Sequence, residues 1–361
     1  MRLFFDSRFT RTDRHDGISR YGAELLRALL DLTRGTDVEV TAIINDPAQL
    51  AMLPQTPYVL LNDPISPAEP FIARRLNQLG ADVVFSTMQV MGSTGRHYKL
   101  ILTLHDLIYY DHPTPPRDLP AVVRGAWRLY HKAYWPQRVL LNRADAVATV
   151  SRTTAELIAE HRLTRKPVHV IGNAATPPAA LPQRAQGDTA RSLVYMGAFM
   201  PYKNVETIAM AMPLLPGWTL HLTSKISPVR EAELARLAGP AAHIEFHHGV
   251  SDEEYHRLLD SATALVSASR AEGFGLPVVE ALSRGLPVLL SELPIFREIA
   301  GPAGVYFDPD SPRSLAAGAR RLADAETWLR LSQLAPGQAA TFSWEESARR
   351  LLDLARELTN G

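Results

Sequence analysis

The sequence predicts an α/β chain of two successive domains, each a doubly wound sheet, and three observations predict it. Short, nearly unbroken apolar runs alternate with stretches of helical spacing, as parallel strands buried between helices do. Midway, residues 173–189 are rich in Ala, Pro and Gln and poor in large apolar residues, which reads as an interdomain linker. Beyond it, 192–197 starts the strand, turn and helix succession afresh, and 361 residues at 46% hydrophobic content suffice for two cores. The expected divisions are 1–172, a linker at 173–190, 191–343, and a final helix over 344–361.

In chain order, Leu3-Phe4-Phe5 is a short first strand. A polar, basic loop over 6–16 follows, then a helix from Gly17 to about Leu32. This is the opening unit of a doubly wound sheet, where ligands sit; the alternative is a plain strand-to-helix connection. Residues 38–44 form the second strand, and 47–70 is proline-rich and unassigned apart from an apolar 58–61. Helical spacing over 71–79, a buried strand at 81–86 and a polar loop over 88–97 come next. The apolar strand 99–104 ends at His105-Asp106, on the rim where ligands bind. There His105 could bond a ligand hydroxyl with Asp106 fixing its tautomer, or could simply be a polar strand end.

Residues 119–143 gather Arg124, Trp127, Arg128, Tyr130, His131, Lys132, Tyr134, Trp135 and Arg138 on a long, mainly helical stretch. Rings with cations suit a bilayer interface and anionic headgroups. The alternative is a helix with its aromatics turned inward and its charges in water. A strand at 144–150, a helix over 153–161 capped by Ser151, and a last strand at 168–171 complete the first half.

The second half opens with strand 192–197, ending in Gly197, and a turn carrying Lys203 into a helix. A lysine there neutralises phosphate oxygens, or is a solvated surface residue. Strand 218–223, loop 224–228, strand 244–246 and turn 247–250 precede a helix over 252–261 capped by Ser251. His247 and His248 are adjacent, so in a strand or turn they point apart; with no third ligand nearby, a metal is not expected there. Strand 264–268 then runs through the turn Glu272-Gly273-Phe274-Gly275-Leu276 into a helix with Pro277 in its first turn and Gly285 at its stop. Free amides and a helix dipole aimed at one spot suit an anion, and Gly273 and Gly275 let it approach the backbone. Glu272 stands at the mouth, and Glu280 about one turn inside the helix. Carboxylates repel a phosphate, so the pair makes sense if the ligand also offers hydroxyls; otherwise Glu272 caps the turn and Glu280 is an exposed helix residue. Strand 286–290, a loop at 293–298 entering a helix, helices over 311–322 and 326–334, and an amphipathic helix starting at 342–348 finish the chain.

Composition excludes several functions. Lys+Arg and Asp+Glu both number 38, so charge makes no case for nucleic-acid binding. Without cysteine there are no disulfides or thiolate metal sites. No apolar run approaches the roughly 20 residues of a membrane span, and the first residues are too soon charged for a signal peptide, so the cytoplasm is expected. No G-x-G-x-x-G opens either domain, which argues against a dinucleotide oxidoreductase. No aspartate ladder is present, so a divalent ion is expected to be dispensable.

The pattern E-G-F-G-L-P-x-x-E-A-x-x-x-G-x-P-V at 272–288 resembles the signature of retaining GT-B glycosyltransferases of family 4. L-H-D-L at 104–107 and G-I-S-R-Y at 17–21 also match family motifs, and the likeness runs nearly end to end. It implies two Rossmann-like domains facing across a cleft, the donor held mainly by the second and the acceptor by the first. By position, Glu280 would hold the donor ribose, Glu272 and His105 would meet the transferred sugar, and Lys203 the diphosphate. Gly17, Gly197, Gly273, Phe274, Gly275 and Leu276 would line the donor, with its base near 247–250. The final helix would pack back on the first domain. One departure stands out: the family's diphosphate arginine is missing, Ala198 following Gly197 and Tyr202 preceding Lys203, so Lys225, Arg230 and Arg270 become candidates. The resemblance implies transfer of a hexosyl group, mannosyl favoured, from a nucleoside diphosphate sugar, GDP-mannose favoured. The acceptor would be a hydroxyl of a glycan or lipid-linked sugar, attacked with retention, without metal, and with peripheral membrane contact through 119–143. A GT-B sugar-nucleotide epimerase and a non-catalytic nucleotide or sugar binder remain the alternatives.

Overall fold

The structure, a computed structural model, describes residues 1–115, 121–182 and 191–360. The chain divides into two compact units, 1–173 with 343–361, and 174–342. Both are parallel α/β sheets.

The strands of the first unit are β1 (Arg2–Asp6), β2 (Glu39–Ile44), β3 (Tyr58–Leu60), β4 (Val83–Ser86), β5 (Lys99–Leu104), β6 (Ala146–Thr149) and β7 (Val168–Val170). They lie in the order β3-β2-β1-β4-β5-β6-β7, all parallel. Its helices are α1 (Gly17–Thr33), α2 (Ile72–Gln78), α3 (Ile108–Asp111), α4 (Ala121–Tyr130), α5 (Trp135–Leu141) and α6 (Arg152–Glu160). The second unit has β8 (Ser192–Tyr195), β9 (Thr219–Leu222), β10 (His243–Phe246), β11 (Ala264–Ser267), β12 (Val288–Ser291) and β13 (Gly304–Phe307), ordered β10-β9-β8-β11-β12-β13. Around them run α7 (Val205–Ala211), α8 (Pro228–Ala238), α9 (Asp252–Ser261), α10 (Leu276–Ser283), α11 (Pro294–Ala300), α12 (Pro312–Leu322) and α13 (Ala325–Ala339). The chain then returns to the first unit as α14 (Trp344–Asn360).

Burial on both faces explains why the central strands are apolar throughout: β4, β6, β8 and β12 have no exposed residue. Helix starts follow the caps. Asp16, Ser151, Ser227, Ser251, Ser311 and Asp324 each accept the amide three residues on. On α14, Leu351, Leu352, Leu354 and Ala355 are buried and the helix packs on α1, while the Ser347 hydroxyl donates to the Gly172 carbonyl at 2.8 Å.

Some expectations change. The stretch 119–143 is two helices rather than one, broken at 131–134 because Pro136 must lie in a first turn and cannot continue α4; residues 119–120 lie outside the described residues, as do 183–190 of the expected linker. Helix α8 and strand β13 were not anticipated. The first buries only Leu234 and Ala238, so its apolar stripe is thin. Among the described residues no helix is long and apolar enough to cross a membrane.

Candidate active site

In the second unit the strand order reverses between β8 and β11, the place where doubly wound sheets open a ligand crevice. The loops leaving these two strands bring Lys203 and Glu272 together, Nζ to Oε1 at 2.5 Å. Both side chains are largely withdrawn from solvent, 17% and 12% exposed, so the attraction is screened less than at an open surface. Asn204 takes a left-handed conformation (φ 52°) and its amide donates to the carbonyls of Ala268 and Pro309, which fixes Lys203 beside it. The Arg270 amide donates to the Tyr202 carbonyl at 2.7 Å and clips one loop to the other. Ser269 Oγ donates to Glu272 Oε1 at 2.9 Å.

The turn beyond Glu272 carries Gly275 at φ 102°, where a side chain would be strained and a Cβ would lie 3.2 Å from the Phe296 ring. Gly275 precedes α10 with no side-chain cap, and among the described residues no acceptor is paired with the amides of Phe274, Gly275 or Leu276. The Phe274 ring is buried edge-on against Phe342, so its backbone is the part left for a ligand. Gly273 is buried, and Glu280 is half-buried on α10 rather than exposed.

At the end of β8, Gly197 (φ 157°) already donates its amide to Ser224 Oγ at 3.1 Å, and a Cβ would touch the Tyr195 hydroxyl. Space rather than a free amide is what Gly197 supplies. The three candidate second cations separate clearly. Arg230 is held by Glu206 and Glu233, and Arg270 by Asp310. Lys225 is exposed, its stem lies against Gly249, and among the described residues nothing pairs with its ammonium group. Ser224, one residue before it, anchors Gly197, so Lys225 leaves from the same rim.

In the first unit, His105 Nε2 donates to the Thr87 carbonyl at 2.7 Å, and the ring meets Tyr21 edge-on at 5.0 Å. The Thr87 carbonyl, rather than Asp106 as expected, fixes the tautomer by accepting from Nε2–H; Asp106 accepts from the Ile108 amide at 3.1 Å. Burial lowers the His105 pKa and outweighs the opposing pull of Thr87, which leaves a neutral imidazole with Nδ1 as an acceptor. Tyr21 is itself fixed by its hydroxyl on Ile171 and by Trp344 of α14. Gly17 begins α1 with open space around it, but Asp16 caps that helix through the Ser19 amide and pairs with Arg11.

Beside His105 opens a pocket walled by Ile18, Tyr109, Tyr110 and His131 and floored by Gln137. Gln137 is 1% exposed, yet among the described residues nothing pairs with its Nε2 or with the Tyr110 hydroxyl. Burial pushes the Tyr130 phenol up to about 12, so it donates to Gln137 Oε1 at 2.7 Å and turns Nε2 away from itself. Sequence reasoning missed Gln137 and Tyr110, which carry no motif. It also missed Arg8, fully buried within the loop expected to be polar: Arg8 bonds both Asp6 oxygens and Glu69. His248 does point away from His247, as expected, but His247 meets His221 of the adjacent strand and Glu245, two potential ligands that sequence reasoning missed.

Two family models match consecutive halves of the chain: Glycosyltransferase Family 4 over residues 15–177 and Glycosyl transferases group 1 over 180–335. The chain belongs to the family 4-like GT-B glycosyltransferases. Several of its relatives are named mannosyltransferases, at modest identity. This chain is 29% identical over 168 residues to the O-antigen chain mannosyltransferase B of Escherichia coli, covering 44% of each chain, so it spans less than half of that relative's length. It is 26% identical over 287 residues to the GDP-mannose:cellobiosyl-diphosphopolyprenol alpha-mannosyltransferase of Xanthomonas campestris, 70% of this chain and 73% of that one. In fold it resembles the sucrose-phosphate synthase of Thermosynechococcus elongatus (TM-score 0.75, 18% identity), which it covers over 98% of that chain and 99% of its own.

Proposed function

We propose that the protein transfers a hexosyl group, mannosyl favoured, from a nucleoside diphosphate sugar to a hydroxyl of a glycan or lipid-linked acceptor. The observation that carries this reading is the Lys203–Glu272 pair beside the unpaired amides of Phe274, Gly275 and Leu276. A departing diphosphate needs fixed positive charge, which Lys203, the amides and the α10 dipole supply. The carboxylates of Glu272 and Glu280 then take hydroxyls of the sugar and the ribose. Lys225 is the second cation on the diphosphate in place of the family's arginine. GDP-mannose is the favoured donor, in line with the names of the relatives, and retention of configuration without a metal follows the family resemblance.

On the acceptor side, the Tyr109–Tyr110–His131 pocket suits a sugar ring, whose apolar face lies on aromatic rings while its hydroxyls meet Gln137 Nε2 and the Tyr110 hydroxyl. Leu129, Trp135 and Val139 are exposed, and Arg128 and Lys132 stand exposed among them. These favour docking on an anionic membrane surface, where a lipid-linked acceptor resides. Trp127, Tyr130 and Tyr134 instead turn their rings towards His131 and the Tyr110 side.

A thermal-shift screen against GDP, UDP and other nucleoside diphosphates tests the donor reading, since binding raises the melting temperature. Release of nucleoside diphosphate that depends on added acceptor separates a transferase from an epimerase or a binder. No shift with any nucleoside diphosphate contradicts the proposal, and absence of flotation with anionic vesicles removes the membrane part alone.

A further inference from the structure

At the edge of the second sheet, apart from the Lys203–Glu272 pair, lies a cluster of imidazoles and a carboxylate. Glu245 on β10 stands directly opposite His221 on β9 in the parallel register. His247 follows Glu245 by two positions, so the pleat returns it to the same face. Three donor atoms converge there. His221 Nδ1 is 3.1 Å from His247 Nε2 and 3.1 Å from Glu245 Oε2, and His247 Nε2 is 3.9 Å from that oxygen. A circle through the three has a radius of about 2.0 Å, close to a zinc–nitrogen or zinc–oxygen bond length. An ion about 2.1 Å from each atom therefore sits slightly above their plane, as over one face of a tetrahedron, with its fourth position open.

We propose that His221, Glu245 and His247 form a binding site for a divalent transition-metal ion of the zinc type. Two imidazoles with one carboxylate suit zinc and its neighbours, whereas magnesium and calcium prefer oxygen ligands alone. The imidazoles are mostly buried, 16% and 17% exposed, while Glu245 is 45% exposed, so the ion enters from the carboxylate side. The ligands stand on paired strands: the His247 amide donates to the Leu222 carbonyl at 3.0 Å and keeps the register beyond β10. Glu254 Oε1 lies 3.8 Å from His247 Nδ1, the nitrogen that retains its proton when Nε2 binds a metal. His248 is turned away by its left-handed backbone (φ 55°) and faces Glu231 at 3.6 Å. Binding is plain coordination, with no redox step. It holds β9 to β10 and does not depend on the donor or acceptor assignments.

The test is calorimetric titration of the chelator-stripped, full-length protein with zinc chloride. The expected result is one ion per chain. Affinity should fall about tenfold or more in His221→Ala and in Glu245→Gln, and be unchanged in His248→Ala. Cobalt in place of zinc should give the strong visible absorption of a tetrahedral site, absent in His247→Ala. Circular dichroism checks that each variant is folded. No zinc binding by the wild type, or equal zinc affinity in the wild type and in folded His221→Ala and His247→Ala, overturns the proposal.

Discussion

Lys203 Nζ and Glu272 Oε1 meet at 2.5 Å, although 69 residues separate them in the chain. The contact holds the cation and the carboxylate together at the sheet's reversal point. Replacing either by alanine is expected to cut turnover by about 10²–10³-fold while leaving the fold intact. Acceptor-dependent release of nucleoside diphosphate measures it, and near-normal rates in either folded variant contradict the assignment. The double variant should lose less than the sum of the singles, because the two side chains share one interaction.

Lys225→Ala should raise the donor KM about tenfold, or about 1.4 kcal/mol, with kcat changed less. Arg230→Ala should do the opposite. It strands Glu206 and Glu233, which Arg230 now holds, and so lowers the melting temperature more than donor affinity. Steady-state kinetics of the two variants distinguish the free cation from the structural one.

Gln137→Leu removes from the first unit's pocket a buried amide whose Nε2 has no partner among the described residues. An acceptor KM raised several-fold at constant donor KM is the expected outcome. Equal effects on both substrates argue against an acceptor subsite there.

His105 predicts a pH dependence of stability. Its folded pKa is below the ordinary value of 6.5, chiefly through burial. Below 6.5 the unfolded chain binds a proton that the folded chain refuses, so stability falls as pH drops from about 6.5 towards the folded pKa. Above 6.5 both states are neutral and the contribution is flat. Melting temperature against pH should therefore decline less steeply on the acid side in His105→Gln than in the wild type.

Arg8→Met leaves the buried Asp6 and the part-buried Glu69 without their cation. Burial alone pulls the Arg8 pKa down, but the two carboxylates outweigh it and hold it above its usual range. Loss of about 3–5 kcal/mol is expected from urea unfolding. A change within a few tenths of a kcal/mol would show that the network contributes nothing net.

Much of this architecture was legible because parallel strands sealed on both faces must be apolar throughout, as at 83–86 and 99–104. Capping serines and aspartates marked the helix starts for a similarly local reason. The glycine turn at 273–275 was legible too, since a left-handed position beside a packed ring leaves little choice of residue. What escaped depends on partners remote in sequence. Arg8 looks like one more loop cation until Glu69, 61 residues on, is brought to it. The unpaired state of Gln137 follows from Tyr130 claiming its other end. His221 and His247 meet only because β9 and β10 pair in one register, and a shift by one residue would send Glu245 to the opposite face.

The route of the chain also has a consequence for biosynthesis. Because residues 343–360 cover α1 and fasten to Gly172, the first unit is closed by a segment that leaves the ribosome only after the whole second unit. The later half, an uninterrupted stretch, can complete its own folding beforehand. A chain cut near Phe342 is therefore expected to keep the second unit and to leave the first without its α14 cover.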